Sequence, residues 1–176
     1  MTYFDGLVRT MKWLESQDKV IFLGQAVGCP GTAVYNTLKD VDVSKRLEMP
    51  VAEEFETGFA LGLAIGGFTP ILIHPRLNFL LCAMNQLINI IDKWTKFSPD
   101  TNQKVIIRTC VGSTTPLDPH ESHKYNYTDA IRAMCLNMEV VELTDKSQIF
   151  EAYKKAYERT DGISTLLVEH PDLYNS

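Results

Sequence analysis

Residues 50–74 read PVAEEFETGFALGLAIGGFTPILIH, and this stretch passes from a helix into a strand. Residues 52–67 carry helix-forming periodicity behind Pro50, and they open on three acids, Glu53, Glu54 and Glu56. Acids are favoured there because the first turn of a helix presents unpaired N–H groups and a partial positive charge. Residues 70–73 form a short apolar run, the signature of a strand buried on both faces. Helix followed by buried strand is one unit of a longer alternation. Further helices are expected over 3–16, 33–40, 77–96, 127–136 and 147–159, and further strands over 20–23, 46–49, 105–108, 140–143 and 164–169. Strands that alternate with helices make a mostly parallel sheet with helices on both faces, a three-layer α/β sandwich. Ligands of such sheets gather beyond the carboxyl ends of the strands. The segments expected at that edge are 24–32, 50–56, 74–79 and 110–124.

The chain has 176 residues, 45% of them hydrophobic and 22% charged, which suits one globular domain over 1–176 and excludes a disordered chain. Seventeen Lys and Arg stand against 22 Asp and Glu, a net charge of -5, which argues against nucleic acid as a general partner. Cys29, Cys82, Cys110 and Cys135 lie far apart with no CxxC pair and read as reduced thiols of a cytoplasmic protein. The amphipathic, charged start of the chain does not read as a signal peptide, and no apolar run reaches membrane-spanning length.

Three further features carry possible chemistry. Gly58, Gly62 and Gly66 recur every four residues, with Gly67 behind them. Each costs a helix roughly 1 kcal/mol against alanine, so the stripe implies close packing, on the chain's own sheet or on another subunit. Phe79 follows a strand end and reads as core filler or as a stacking platform for a flat heterocycle. Arg76 beside it reads as an anion ligand or a solvated cation. The loop Asp118-Pro-His-Glu-Ser-His123 holds two imidazoles. They suit acid–base or substrate-binding work, or simply solvation, better than a metal, since no HExxH and no third histidine accompanies them. Ser122 lacks the turn that activates a nucleophilic serine. There is no GxGxxG, no P-loop and no metal–diphosphate motif, so no metal site is expected and the chain is not expected to hold a diphosphate by itself.

Taken in order, these segments resemble the pyrimidine-binding domain of thiamine diphosphate enzymes. The likeness is nearest to the beta subunit of the dehydrogenase component of 2-oxo-acid dehydrogenase complexes, pyruvate dehydrogenase among them, and more distant to transketolase. Residues 18–24, DKVIFLG, resemble the family's first strand, which usually continues with an acid; here Gln25 stands in its place. Residues 50–53 resemble the motif Pro-Ile-Ser-Glu, with the glycine-rich helix in register behind it. Phe79, Ala83, Gln86 and Asn89 resemble the pattern Phe-x3-Ala-x-Asp-Gln with its trailing Asn, the Asp being Asn85 here.

The resemblance implies roles. Glu53, with Glu54 as runner-up, falls on the glutamate that hydrogen-bonds the aminopyrimidine ring and promotes its imino tautomer, which then removes the thiazolium C2 proton. Gln25 falls on a cofactor-facing position, Phe79 on the ring-stacking position, and the family's loop histidine on His120 or His123. The resemblance also implies that thiamine diphosphate is shared with a partner chain. The family's carboxyl-terminal domain and its diphosphate-binding domain, which holds Mg²⁺, have no counterpart in these 176 residues. The expectation is the pyrimidine-binding half of a split transketolase-like or 2-oxo-acid-processing enzyme, a transferase or oxidoreductase acting on a small-molecule substrate. It is expected to be a homo-oligomer, to pair with a separate diphosphate-binding subunit, or both. The alternative is a non-catalytic interaction subunit that retains the fold.

Overall fold

Six strands build the centre of the computed structural model, which describes residues 1–114 and 118–176. They are β1 (Val20–Gly24), β2 (Arg46–Glu48), β3 (Thr69–Ile73), β4 (Ile106–Cys110), β5 (Glu139–Glu142) and β6 (Thr165–Glu169). All six pair in parallel, in the order β2-β1-β3-β4-β6-β5. The inner strands are mostly apolar because both faces are covered. Phe22, Ile71, Ile73, Ile106 and Leu167 face one core, and Leu23, Leu72, Ile107, Leu166 and Val168 face the other. The first core is closed by α1 (Tyr3–Glu15), α2 (Ala33–Thr37) and α7 (Lys146–Glu158). The second is closed by α3 (Glu53–Ile65), the helical segment that follows β3, and α6 (Thr128–Met134). The six strands lie where the sequence puts them, within two residues at each end, and α2 stops three residues short of its expected end.

Local signals set the helix ends. Thr2 and Asp5 form a capping box at α1, and Asp145 and Gln148 form one at α7. Gly24 ends β1 at φ +128, and a Cβ there would come 2.1 Å from the carbonyl oxygen of Ile73. Only glycine lets the chain leave β1 this close to β3.

One expectation is corrected, and one alternative is excluded. Residues 77–96 do not form one α-helix. Instead α4 (Leu77–Leu80) passes into a 3₁₀ turn (Leu81–Ala83), a π-helical stretch (Gln86–Ile91) and α5 (Trp94–Phe97). The wide turn is closed by the Asp92 amide, which donates to Leu87 O at 2.8 Å. The Asp92 carboxylate then accepts from Asn137 N, Asn137 Nδ2 and Met138 N at 2.8–2.9 Å. Burial works against that charge, yet the hydrogen bonds from Asn137 and Met138 win and hold the carboxyl below its ordinary value. Of the two partners left open for the glycine stripe, the chain's own sheet is excluded, since the stripe is not pressed on it. The buried side of α3 is Glu56, Thr57, Ala60, Leu61 and Ala64. A Cβ on Gly62 would meet nothing within 4 Å, and Phe55 beside the stripe is 56% exposed.

Beneath the carboxyl edge lies a buried ion pair. Arg108 Nε donates to Glu169 Oε1 at 2.6 Å and Arg108 Nη2 to Glu169 Oε2 at 2.9 Å, both residues being 1% exposed. The same guanidinium donates to Thr37 Oγ1, and Tyr153 donates its hydroxyl to Glu169 Oε1. Burial disfavours the cation, but Glu169 more than restores it, so Arg108 is held charged. Removing one member strands the other charge in the core. Glu169→Gln is therefore expected to lower the unfolding free energy by roughly 3–5 kcal/mol, read from chemical denaturation curves.

Candidate active site

Because every strand runs the same way, all six carboxyl ends meet at one edge. Gln25 follows β1, residues 49–52 follow β2, His74 follows β3 and Val111 follows β4. Backbone bonds extend the ladder past the strand ends, with Gln25 N donating to Ile73 O and His74 N to Arg108 O. The residues just beyond the strands are thus held as firmly as the strands themselves.

Glu53 is the first residue of α3, half-buried at that edge. Gln25 is buried, and its Nε2 donates to Glu53 Oε1 at 3.0 Å and to Glu56 Oε1 at 2.8 Å. Glu56 Oε1 also accepts from Ala52 N at 3.2 Å. The other oxygen, Glu56 Oε2, lies 3.7 Å from His74 Nδ1, and both side chains are wholly buried. His74 Nε2 sits 3.4 Å from Thr57 Oγ1, whose hydroxyl donates to Glu53 O at 2.7 Å. Burial pushes the Glu56 carboxyl up, against the hydrogen bonds from Gln25 and Ala52 that favour its charge. Burial pushes His74 down to about 4, while the negative charge of Glu53 works the other way.

The loop that carries Gln25 is pinned from β2. Glu48 accepts from the backbone amides of Ala26, Val27 and Gly28 at 2.6–3.0 Å. On the outer side of α3, Glu53 borders an open groove of about 780 Å³ with Phe55, Gly58, Phe59, Cys82 and Gln86 on its walls. Glu54 is exposed and accepts from Asn85 Nδ2 at 2.8 Å.

A second group forms where the loop after β4 returns to α4. Phe79 is half-buried, and the His123 ring stands edge-on to it with centroids 5.4 Å apart. Asn78 Nδ2 is 2.8 Å from His123 Nδ1. Gly112 lets this happen, since a Cβ there would lie 1.7 Å from His123 O. His120 is exposed at φ 64, and its backbone amide donates to Asp118. Of the two loop histidines, His123 contacts Phe79 and Asn78, and His120 sits apart from that group. Arg76 is half-buried, with Nη1 unpartnered among the described residues. Among the described residues no group of three or more His, Cys, Asp and Glu is placed to hold a metal ion. No helix among them is long and apolar enough to cross a membrane.

His74, Thr57 and the inward role of Glu56 were not read from the sequence. A signal existed, because Glu53 and Glu56 are three apart and share a helix face. His74 is also a polar residue placed directly behind the apolar run of residues 70–73.

Comparison with known proteins joins this geometry to a family. The family described as transketolase, pyrimidine binding domain, matches residues 9–175. The beta subunit of the pyruvate dehydrogenase E1 component from Porphyra purpurea is 36% identical over 91 residues, which is 49% of this chain and 27% of that protein. The same subunit from Gracilaria tenuistipitata var. liui is 35% identical over 91 residues, 49% of this chain and 28% of that protein. The matched stretch thus spans little more than a quarter of these relatives. Among solved structures, a split gene transketolase, described as an inactive beta4 tetramer, superposes with a TM-score of 0.70. That match covers 96% of this chain and 52% of the other at 19% identity, a likeness of fold.

His74 gives the cluster a measurable pH dependence. Its ring binds a proton more weakly folded, at about 4, than unfolded, at 6.5, so stability is lost as the pH falls through that window. The loss amounts to about 3 kcal/mol and levels off below pH 4. Unfolding curves measured across this window should show the native chain losing about that much stability relative to His74→Gln, because the carboxyl groups titrate in both and cancel in the comparison.

Proposed function

Since the chain belongs to the transketolase pyrimidine-binding domain family, a family of thiamine diphosphate-dependent enzymes, we propose that it is the pyrimidine-binding subunit of a split enzyme. In this reading a separate diphosphate-binding subunit completes the active site. The observation that carries it is Glu53, a half-buried carboxylate gripped by Gln25 at the sheet's carboxyl edge and bordering an open groove. Those residues fit an aminopyrimidine. Glu53 can face a ring nitrogen and hold or release a proton there, while Gln25 fixes its orientation. Phe79 and His123 supply an aromatic wall, and His123 is a second proton carrier at the same edge. When bound, thiamine diphosphate would supply the carbanion chemistry for which no side chain has an equivalent. Mg²⁺ and the diphosphate are assigned to the partner. The substrate class is a 2-oxo acid or a sugar phosphate.

The outer face of α3 supports assembly. Phe55, Phe59, Ile65 and Phe68 are exposed around Gly62, where another backbone could approach closely. A buried role for that face requires a second chain, either another copy or the diphosphate-binding subunit.

Titration of thiamine diphosphate and Mg²⁺ into the isolated chain should give little binding, and into the chain co-expressed with a diphosphate-binding subunit tight binding. Tight, metal-dependent binding by the isolated chain would sink the split-site reading. In the assembled enzyme Glu53→Gln should cut turnover by roughly 10²–10⁴-fold, because an amide cannot exchange the proton. Glu54→Gln, on the exposed surface, should leave turnover near that of the native enzyme.

A further inference from the structure

We propose that Glu56 and His74 form a buried one-proton pair whose proton resides on Glu56 at neutral pH, and that this pair positions Gln25 so that its amide serves one carboxylate, Glu53. The importance for catalysis rests on the function proposed above; the pair itself does not.

The argument follows the hydrogens. Thr57 spends its hydroxyl proton on Glu53 O, so toward His74 it can only accept. His74 Nε2 must then carry the hydrogen, and in a neutral ring Nδ1 is left with its lone pair. Facing that lone pair, at 3.7 Å, is Glu56 Oε2. Neither atom has a hydrogen-bond partner among the described residues. An ionised carboxylate would turn one lone pair toward another in a dry site, whereas a protonated carboxyl donates into it after a small approach. The other oxygen behaves as the carbonyl of an acid, since Glu56 Oε1 takes both the Gln25 Nε2 and Ala52 N hydrogen bonds. Donors thus converge on one oxygen and an acceptor faces the other. The raised Glu56 and lowered His74 titrations agree with this placement.

The consequence passes through Gln25. Its amide has two hydrogens, one for Glu56 and one for Glu53. With Glu56 neutral, the amide is fixed by one carboxyl and free to stabilise the charge of the other. With Glu56 ionised, two carboxylates would share one amide and repel each other. The remaining charge that faces Glu56 is Glu48 on β2, whose carboxylate is held by three backbone amides and opposes ionisation further. Glu56 and His74 are therefore positioning residues, acting on Glu53 through Gln25.

The test on the isolated chain is spectroscopic. Nitrogen NMR of the imidazoles at neutral pH, with His74 assigned from its absence in His74→Gln, should show a neutral ring with its hydrogen on Nε2. The infrared spectrum should carry a protonated-carboxyl band that Glu56→Gln removes. In that variant the His74 tautomer should be retained, because the new amide can donate to Nδ1. A doubly protonated His74 at neutral pH, or no protonated-carboxyl band in the native chain, would overturn the pair whether or not either variant folds. In the assembled enzyme, Glu56→Ala should lower turnover by roughly tenfold to a hundredfold through misplacement of Gln25. Glu56→Gln should recover most of that loss and move the alkaline limb of the pH–rate profile to higher pH. An unmoved limb would overturn the link to Glu53. A pair confirmed by spectroscopy alongside an inert Glu53→Gln would instead refute the function proposed above.

Discussion

A sheet in which every strand runs the same way has one edge where all the carboxyl ends meet, and the rest of this structure follows from that constraint. Parallel strands require crossover connections, so helices must cover both faces, and the inner strands must be apolar on both. Gln25 and His74, two of the buried polar residues, stand just past strand ends, and Arg108 within β4 is held by Glu169. Gln25, His74 and the start of α3 come from three separate stretches of chain and meet because β1, β2 and β3 end side by side.

The two buried acids that face a cation-forming partner solve the same problem in opposite ways. Arg108 grips Glu169 with two hydrogen bonds and Tyr153 adds a third, which offsets the loss of water. Glu56 has no such fork. It faces an imidazole, which can lose its charge where a guanidinium cannot, and the cheapest state of that pair in a dry site is neutral. One pair ties β4, β6, α2 and α7 together, and the other leaves a charge free at Glu53. Their difference comes from the partner rather than from depth, since all four side chains are buried.

The face of α3 turned away from the sheet gives the molecule an open side. A helix that carries Phe55, Phe59 and Ile65 beside glycines, with its inner side already packed, resembles one wall of a larger structure. The groove that Glu53 borders opens on that same side. In the function proposed above, that open side is where the second chain would stand.

Much of this was legible in the sequence. Short apolar runs marked the inner strands, and their alternation with amphipathic stretches pointed to a mostly parallel sheet between two helical layers, because crossover helices must cover both faces. The resemblance of residues 50–53 and of Phe79 to Gln86 to the motifs of a known family singled out Glu53 and Phe79. The sequence could not show that residues 77–97 break into α, 3₁₀ and π turns, since periodicity in a largely apolar run does not distinguish them. It left His120 and His123 equivalent, and the close approach of Gly112 to the backbone of His123 set them apart. It also made Glu56 an ordinary first-turn acid. Only the packing of β3 against α3 brought Glu56 Oε2 to His74 Nδ1, because the state of a carboxyl depends on what stands across from it in space, and residues 18 positions apart do not announce that they face each other.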